Sequence, residues 1–288
     1  MDKNFILGVG CQKGGTSWLR SQLKKSKNVD MGFTSEYHVF DALYVPECER
    51  FLSGKLETLQ KTSLDLDGLS KKSQLLKHIN FYIDTQNYYD YFDYLWYRGG
   101  DDLTTVGDIS PTYSALPESA LRTIKSELEA RGFKVKVVFL MRDPIERCWS
   151  MARMQRKRLL RKNPNKALTD EQQYLEKLFS TSQCVIRTKY EITVKNLELV
   201  FDQGNIFYSC YENLFEDKTI NRLKSFLYLA NFDPDINHHA NVSKKTSSAP
   251  EIDEALASKI VNFYRDTYEF CELKFGVKEL WGGSKYLW

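Results

Sequence analysis

Long apolar runs are missing from this sequence. No stretch approaches the roughly 18 consecutive apolar residues that a membrane-spanning helix needs. The first residues also lack the basic segment and following apolar stretch of a secretory signal peptide. We therefore expect a cytoplasmic protein with no membrane partner.

Strong charge of one sign and metal-ligand spacing are scarce too. The 41 basic and 38 acidic residues leave a net charge of only +3, which is too small to predict nucleic-acid binding. Six cysteines are scattered along the chain without the paired spacing of a zinc site. We expect no metal, and in a reducing compartment the cysteines read most simply as small buried apolar residues.

Internal repeats and low-complexity linkers are absent as well. A chain of 288 residues is long enough to bury one sizeable core. We therefore expect residues 1–288 to form a single domain, as a monomer or a homodimer.

A glycine-rich loop is the most informative segment that is present. Residues 5–9 are continuously apolar, as a buried strand is, and a helical pattern begins at Thr16. Between them the chain reads, over residues 8–17, Gly-Val-Gly-Cys-Gln-Lys-Gly-Gly-Thr-Ser. Amides of such a loop and the positive end of the next helix dipole converge on one anion. The alternative is a plain glycine turn in an α/β fold.

The position of the lysine distinguishes this loop from a Walker A loop. Gly10 and Gly15 have the Walker spacing, but Thr16 stands where that motif requires lysine. Lys13 precedes the two glycines instead, where it can reach a bridging oxygen between a 5′-phosphate and a transferred sulfuryl group. A P-loop nucleotide kinase is thereby disfavoured. It stays open as an alternative, together with a catalytically inactive nucleotide-binding module.

Apolar runs alternate with helical patterns along the rest of the chain. Three further runs have the composition of buried strands: residues 104–109, 135–141 and 206–211. This alternation predicts an α/β fold with a central parallel sheet flanked by helices. Ligands of such folds bind beyond the carboxyl ends of the strands, where Lys13, Asp108 and Arg142 fall.

Arg142 and Ser150 form a second candidate anion site. Asp143 and Pro144 have the sequence of a helix N-cap followed by proline, so Ser150 lies two turns into a helix that starts at a strand end. A guanidinium and a hydroxyl placed in this way can converge on one phosphate. Alternatively, Arg142 pairs with Asp143 or Glu146. Two anion sites on one sheet suit a nucleotide with phosphates at both ends, such as 3′-phosphoadenosine 5′-phosphosulfate (PAPS).

Several segments together resemble one known family, the PAPS-dependent sulfotransferases. The resemblance is closest to the branch that contains the heparan sulfate and bacterial carbohydrate enzymes. The segments are residues 12–17, 36–41 and 142–150, followed near the C-terminus by 243–246, 250–253, 262–264 and Trp281. The resemblance implies a P-loop-like sulfotransferase fold, PAPS as co-substrate, and residues 42–103 as a variable insertion on the acceptor side.

The resemblance also assigns roles to individual residues. Lys13 neutralises charge on the leaving phosphate oxygen, and Arg142 with Ser150 holds the 3′-phosphate. Glu36 is the general base, and His38 is its rival. The remaining donor-binding residues are Gly14, Gly15, Thr16, Ser17, Trp18, Lys244 and Lys245, and the acceptor-binding residues are Asp41 and Asp108.

The expected reaction is an in-line displacement that moves the sulfuryl group to a hydroxyl or amine, and the resemblance implies that this group belongs to a carbohydrate. Such chemistry depends on positioning and electrostatic stabilisation. Glu36 would deprotonate the acceptor, a task for a carboxylate whose pKa is raised by partial burial. A histidine in an aromatic segment, as His38 is, is more often a hydrogen-bonded structural residue.

Two further segments bear on the acceptor, which no motif identifies. Nine aromatic residues lie between Phe81 and Tyr97, and their helical spacing favours core packing over stacking on sugar rings. Residues 153–166 hold seven basic residues and no acidic one. This run is either a solvated helix face or a surface that attracts an anionic acceptor such as an acidic glycan.

Overall fold

A parallel sheet of five strands lies at the centre of the computed structural model, which describes residues 3–163, 170–236 and 252–288. The strands are β1 (Asn4–Gly10), β2 (Val29–Asp30), β3 (Thr105–Ile109), β4 (Lys134–Met141) and β5 (Ile206–Cys210). Their order across the sheet is β2-β3-β1-β4-β5, and each neighbouring pair is parallel. This confirms the predicted α/β architecture.

The sheet is buried on both faces, which explains the continuous apolar runs of its strands. One large apolar core covers one face with Phe5 and Val137, and a smaller core covers the other with Ile6 and Val138. The three strongest strand predictions are confirmed. The fourth strand ends one residue earlier than predicted, because Tyr211 begins a short 3₁₀ turn, and β2 was not predicted because it is only two residues long.

Helices flank both faces of the sheet. In the described part of the chain they are α1 (Thr16–Leu23), α2 (Val39–Tyr44), α3 (Arg50–Lys61), α4 (Leu66–Ile83), α5 (Gln86–Arg98), α6 (Glu118–Ala130), α7 (Pro144–Lys162), α8 (Glu171–Leu178), α9 (Ser182–Val185), α10 (Tyr190–Val200), α11 (Asp217–Leu227), α12 (Glu254–Phe263) and α13 (Arg265–Phe275). Over these ranges no helix has the length and apolar character needed to cross a bilayer.

The predicted start of α7 is confirmed. Asp143 caps the helix by accepting a hydrogen bond from the Ile145 amide at 3.2 Å, and Pro144 occupies the first helical position. Proline costs nothing there because that amide would have no helical partner. Arg142 is therefore held at the junction between β4 and α7, as the sequence predicted.

Residues 42–103 comprise the end of α2, the helices α3, α4 and α5, and their connections. On α5 the aromatic face is buried: Tyr88 and Phe92 have no exposed surface, and Tyr91 and Leu95 are nearly covered. Core packing is thus confirmed for these residues. By contrast, α3 has no buried residue at all.

Candidate active site

The glycine-rich loop turns sharply between β1 and α1. The Cys11 amide donates to the Leu140 carbonyl at 2.5 Å, which ties the loop to β4. A Cβ atom on Gly14 would lie 2.6 Å from that same carbonyl oxygen. Gly15 has a φ of 97°, and a Cβ there would lie 2.7 Å from Leu214 Cδ2. Both positions therefore require glycine, for close approach at Gly14 and also for backbone conformation at Gly15.

The first turn of α1 presents free backbone amides. Gly15 precedes the helix without any side-chain cap, and the first amides of a helix have no intrahelical acceptor. The Gly14 amide is different, because it already donates to the Cys11 carbonyl at 3.0 Å. The amides that are available to an anion are therefore those at the start of α1, at Thr16 and Ser17, and not that of Gly14.

Only the backbone of Trp18, and not its side chain, is available to this site. Its indole is 2% exposed, packs edge-on against Phe215 and donates from Nε1 to the Asp235 carbonyl at 3.1 Å. The side chain is thus part of the core under the helix. A direct contact between the ring and a nucleotide, which the expected donor role would allow, does not fit this position.

Arg142 points toward the glycine loop. Its Nη1 donates to the Lys13 carbonyl at 3.2 Å, its Nη2 lies 3.2 Å from Glu146 Oε2, and its guanidinium lies 4.6 Å from the centre of the Tyr211 ring. The alternative pairing with Glu146 is therefore present. Nevertheless, the buried Nε has no hydrogen-bond partner among the described residues. A buried donor without a partner is costly, so the described residues do not use the full hydrogen-bonding capacity of this guanidinium.

A cluster of positive charge surrounds Lys13. Burial lowers the pKa of Lys13, and the charges of Arg142, Arg158 and Arg153 lower it further, whereas Glu36 acts in the opposite direction. These effects place the two arginines of α7 and the carboxylate of Glu36 within electrostatic reach of the lysine. The basic run of α7 thus borders the site, at least through Arg153 and Arg158.

Glu36, His38 and Asp41 form a continuous hydrogen-bonded line. Glu36 Oε2 lies 2.8 Å from His38 Nε2, and His38 Nδ1 lies 2.7 Å from Asp41 Oδ2. The imidazole also stacks on the Phe51 ring of α3, with a centroid distance of 3.8 Å and an interplanar angle of 9°. Both ring nitrogens of His38 are therefore occupied, and one ring face is covered.

The contacts within this line shift the pKa values of His38 and Glu36. Burial would lower the pKa of His38, but the hydrogen bonds and charges of Asp41 and Glu36 outweigh burial and raise it to about 9. Burial would raise the pKa of Glu36, but the hydrogen bond and charge of His38, with help from Arg158 and Arg20, lower it. The expectation that partial burial raises the pKa of Glu36 is therefore wrong, because the cationic neighbours lower this pKa by more than desolvation raises it.

Asp108 supports this line from beneath. The Ser110 hydroxyl accepts hydrogen bonds from the amides of Tyr37 and His38, at 2.9 and 3.1 Å, and donates to Asp108 Oδ1 at 2.8 Å. Tyr88 donates to the other carboxylate oxygen at 3.0 Å. Burial raises the pKa of Asp108 to about 6. The strand β3 thus positions the backbone of residues 37 and 38.

Neither aspartate expected at the acceptor reaches solvent. Asp41 and Asp108 are both 0% exposed and bonded to protein groups. In this structure Asp41 bonds to His38 and Asp108 bonds to Ser110, and an acceptor-binding role for either aspartate stays a prediction. Sequence reasoning gave Ser110 no role, although the Ser-Pro pair directly after a strand was an available signal.

α1 is linked to the segment that precedes Glu36. The guanidinium of Arg20, on the last turn of α1, donates from Nη2 to the Met31 carbonyl at 3.3 Å and also to the Thr34 carbonyl. The helix that begins at the anion site therefore also fixes the chain two residues before the carboxylate. Sequence reasoning did not find Arg20 or Phe51, because their partners are visible only in the folded chain.

Three predicted donor-binding residues remain: Ser150, Lys244 and Lys245. Ser150 is half-buried on α7, one helical turn from Glu146 and Arg147. Lys244 and Lys245 lie outside the described residues. Of the predicted donor set, the structure thus brings together the start of α1, Lys13 and Arg142.

Comparison with known proteins gives one family and one fold. A family model described as the sulfotransferase domain matches residues 3–262. Comparison with curated protein sequences gives no match. A crystal structure of a sulfotransferase from Alicyclobacillus acidocaldarius is similar over 95% of both chains, with a TM-score of 0.61 and 18% identity. The sulfotransferase domain of an olefin synthase from Synechococcus PCC 7002 aligns with 95% of this chain and 94% of its own, with a TM-score of 0.49 and 17% identity.

Proposed function

The chain belongs to the sulfotransferase domain family, whose sulfuryl donor is PAPS, and from that premise we propose that Glu36 is the general base of transfer to an acceptor hydroxyl. The observation that carries this proposal is the difference in access between Glu36 and His38. The Glu36 side chain is 39% exposed, whereas that of His38 is 10% exposed and has both nitrogens occupied. An acceptor can therefore meet Glu36 but not the imidazole.

The donor side of the site consists of the loop from Cys11 to Gly15, the start of α1, and Arg142. The residues present fit a nucleotide that carries anionic groups at two ends. The start of α1 has no side-chain cap, and the buried Nε of Arg142 has no hydrogen-bond partner among the described residues. When bound, PAPS supplies the activated sulfuryl group.

Lys13 and the first amides of α1 would hold the 5′ end of the donor, and Arg142 with Ser150 would hold the 3′-phosphate. Lys13 would also stabilise the negative charge that develops on the leaving oxygen. Burial and the neighbouring arginines lower the pKa of Lys13, and the proposed role requires the side chain to be protonated during transfer. Its charge therefore opposes the charge that grows during transfer.

The low pKa of Glu36 determines which acceptor it can serve. At neutral pH Glu36 is ionised and ready to accept a proton, but it is a weak base. A hydroxyl becomes strongly acidic once its oxygen begins to bond to sulfur, so a weak base suffices for a late proton transfer. An amine is protonated beforehand and would need a stronger base. This favours a hydroxyl acceptor over an amine.

His38 and Asp41 act on Glu36 rather than on the acceptor. The raised pKa of His38 keeps the imidazole protonated, and Asp41 balances that charge. The imidazolium donates to Glu36 and fixes the direction of the carboxylate. We therefore assign His38 as a positioning residue in this proposal.

The acceptor in this proposal is an anionic carbohydrate. The support is the basic face of α7 beside the site: Arg153 lies 5.2 Å over the Trp149 ring with a buried Nε that has no partner in the described chain, and the charge of Arg158 acts on both Lys13 and Glu36. An acceptor that approaches Glu36 must pass this positive field. The carbohydrate itself rests on the sequence resemblance.

Calorimetry provides the first test of the donor assignment. We expect adenosine 3′,5′-bisphosphate to bind without Mg²⁺ and more tightly than ATP. Binding of ATP that depends on Mg²⁺ would instead favour the kinase alternative. Bisphosphate binding without any sulfuryl transfer, in a screen of acceptors with labelled PAPS, would favour an inactive nucleotide-binding module.

A comparison of acceptors tests the remaining claims. Neutral and anionic saccharides of equal length, each in a hydroxyl and an amino form, should separate the effects of charge and of the attacking atom. We expect the anionic hydroxyl acceptors to react fastest and their advantage to shrink as salt is added. A preference for neutral acceptors would contradict the role given to α7.

A further inference from the structure

Arg147 is a buried arginine whose hydrogen-bond partners are almost entirely sulfur atoms. It lies on α7 with 0% exposure. Its Nη2 lies 2.7 Å from Cys184 Sγ and 3.4 Å from Cys148 Sγ, and its Nη1 lies 3.6 Å from Met151 Sδ. The Cys184 carbonyl, at 3.3 Å from Nη2, is the one oxygen that it contacts within the described chain.

A buried guanidinium needs an anion close by. Arginine does not lose its proton in proteins, and a buried charge without a counter-charge is strongly destabilising. No carboxylate among the described residues bonds to Arg147, so the thiol group of Cys184 is the candidate that its position offers. This thiol would have to be ionised to balance the charge.

The surroundings of the two cysteines favour ionisation at Cys184 and not at Cys148. Cys184 Sγ faces two donors, the Cys148 thiol at 3.4 Å and the guanidinium of Arg147. The hydrogen bond from Cys148 lowers the pKa of Cys184, and Arg147 adds to this against the effect of burial. Burial raises the pKa of Cys148. The contacts thus favour a negative charge on the Cys184 sulfur over one on the Cys148 sulfur.

Cys184 lies on a short helix, α9. The helix α9 has a single turn, and the three residues before Cys184 are exposed: Thr181, Ser182 and Gln183. Short elements with little buried surface open locally at low cost, even when the rest of the protein stays folded. A small oxidant can therefore reach the sulfur through local opening of α9.

We propose that Cys184 and Cys148 are a redox-active pair that a peroxide converts into a disulfide, and that this disulfide weakens binding at the Arg142 side of the site. The Cys184 thiolate attacks one peroxide oxygen, the O–O bond breaks, and the leaving oxygen departs as water after protonation. The Cys148 sulfur then attacks the resulting sulfenic acid, and its proton leaves with the sulfenic oxygen as a second water. Two thiols are oxidised and one peroxide is reduced.

The disulfide acts on the site through α7. The two sulfurs must approach from 3.4 Å to about 2 Å, which draws α7 and α9 together. At the same time Arg147 loses its negative partner and must move or take up water. Arg147 directly follows Glu146, which pairs with Arg142, and Ser150 lies two residues after Cys148. The change therefore begins within the segment expected to hold the 3′-phosphate.

The test combines peptide mapping with a binding measurement on the full chain. After treatment with hydrogen peroxide, mass spectrometry of proteolytic peptides should find a disulfide that joins Cys148 to Cys184. The affinity for adenosine 3′,5′-bisphosphate should fall several-fold and recover after a thiol reductant is added. The second readout rests on the proposed function, but the first does not. A protein that binds no bisphosphate in either state would refute the proposed function and leave the mapping to decide on the disulfide.

Two variants control the experiment. Cys148→Ser keeps the Cys184 thiol beside Arg147 and should leave the bisphosphate affinity unchanged by peroxide. Cys271→Ser removes another fully buried cysteine, on α13, and should respond as the wild type does. Absence of the Cys148–Cys184 disulfide in wild-type protein, under conditions that oxidise other thiols, overturns the proposal. A disulfide that forms without any change in affinity overturns the link to the nucleotide site.

Discussion

The donor side and the base segment of this site are held by different kinds of interaction. On the donor side, the backbone determines the shape of the loop. Two glycines are closely packed, the start of the helix has no side-chain cap, and a loop amide is bonded to β4. The base segment, residues 34–41, is held by side chains that come from distant parts of the chain. The main one is Ser110, which follows residues 42–103 in the sequence. A site held by backbone leaves a local sequence pattern, whereas one held by distant side chains does not.

The replacement Glu36→Gln should separate the two sides most sharply. Glutamine keeps the shape of the side chain but cannot take a proton, so we expect turnover to fall by roughly 10²–10⁴ while bisphosphate affinity is unchanged. Steady-state kinetics with a reactive acceptor and calorimetry measure the two quantities. Near-full turnover in this variant, together with a dead His38→Ala enzyme, would make His38 the base.

Lys13→Ala tests the donor side in the same way. We expect a normally folded protein whose turnover falls on the order of 10²–10³, the usual effect of removing one group that stabilises the transition state. Lys24→Ala, an exposed lysine at the other end of α1, is the matched control and should be fully active. An unchanged rate in Lys13→Ala would remove this residue from the mechanism.

Arg142→Ala should affect binding rather than the chemical step. Loss of a charge-assisted contact weakens binding by about 1.5–3 kcal/mol, and we expect this loss for nucleotides with and without a 5′-sulfate alike. Titration calorimetry measures it directly. If the wild type bound 3′-phosphorylated and 3′-dephosphorylated nucleotides equally well, no 3′-phosphate site would exist.

Ser110→Ala should disturb the base segment and spare the donor side. The change leaves the amides of Tyr37 and His38 without their acceptor and removes a donor from Asp108. We expect the free energy of unfolding to fall by about 1–3 kcal/mol and turnover to decrease, with bisphosphate affinity intact. Denaturant unfolding and calorimetry test both parts. An equal loss of nucleotide affinity would mean that the two sides are not independent.

The ionised line predicts a smaller effect of pH on stability. The pKa of His38 is raised to about 9 in the folded protein, so its contribution is complete below its ordinary pKa of about 6.5 and is lost as the pH rises through 9. The pKa of Asp108 is raised to about 6, so its contribution to stability is lost in a lower range, as the pH rises from about 4 to 6. The melting temperature of the wild type should therefore fall between pH 7 and 9.5 relative to that of His38→Gln. Parallel curves would contradict the assigned charge of His38.

The same contrast explains what the sequence could predict. The alternating apolar runs predicted the parallel sheet, and the glycine loop, the Asp143 cap and the place of Arg142 follow from local geometry. The sign of the pKa shift of Glu36 did not follow, because it depends on how closely His38 approaches it. The burial of Asp41 depends on the packing of α3 and α4 against α2, and that of Asp108 on the packing of α5 against β3. Residue types alone do not specify this packing. Phe51 was unpredictable for the same reason, because nothing in α3 indicates that one of its rings covers His38.

The absence of buried residues from α3 has a consequence for how this protein can change over time. Substitutions in an exposed helix cost little stability, so α3 can accumulate mutations that would unfold the protein elsewhere. One position is the exception, since Phe51 stacks on the imidazole beside the base. Natural divergence and directed evolution thus have the same freedom here: a library that randomises the outer positions of α3 and keeps Phe51 can vary this surface while the stack on His38 stays intact.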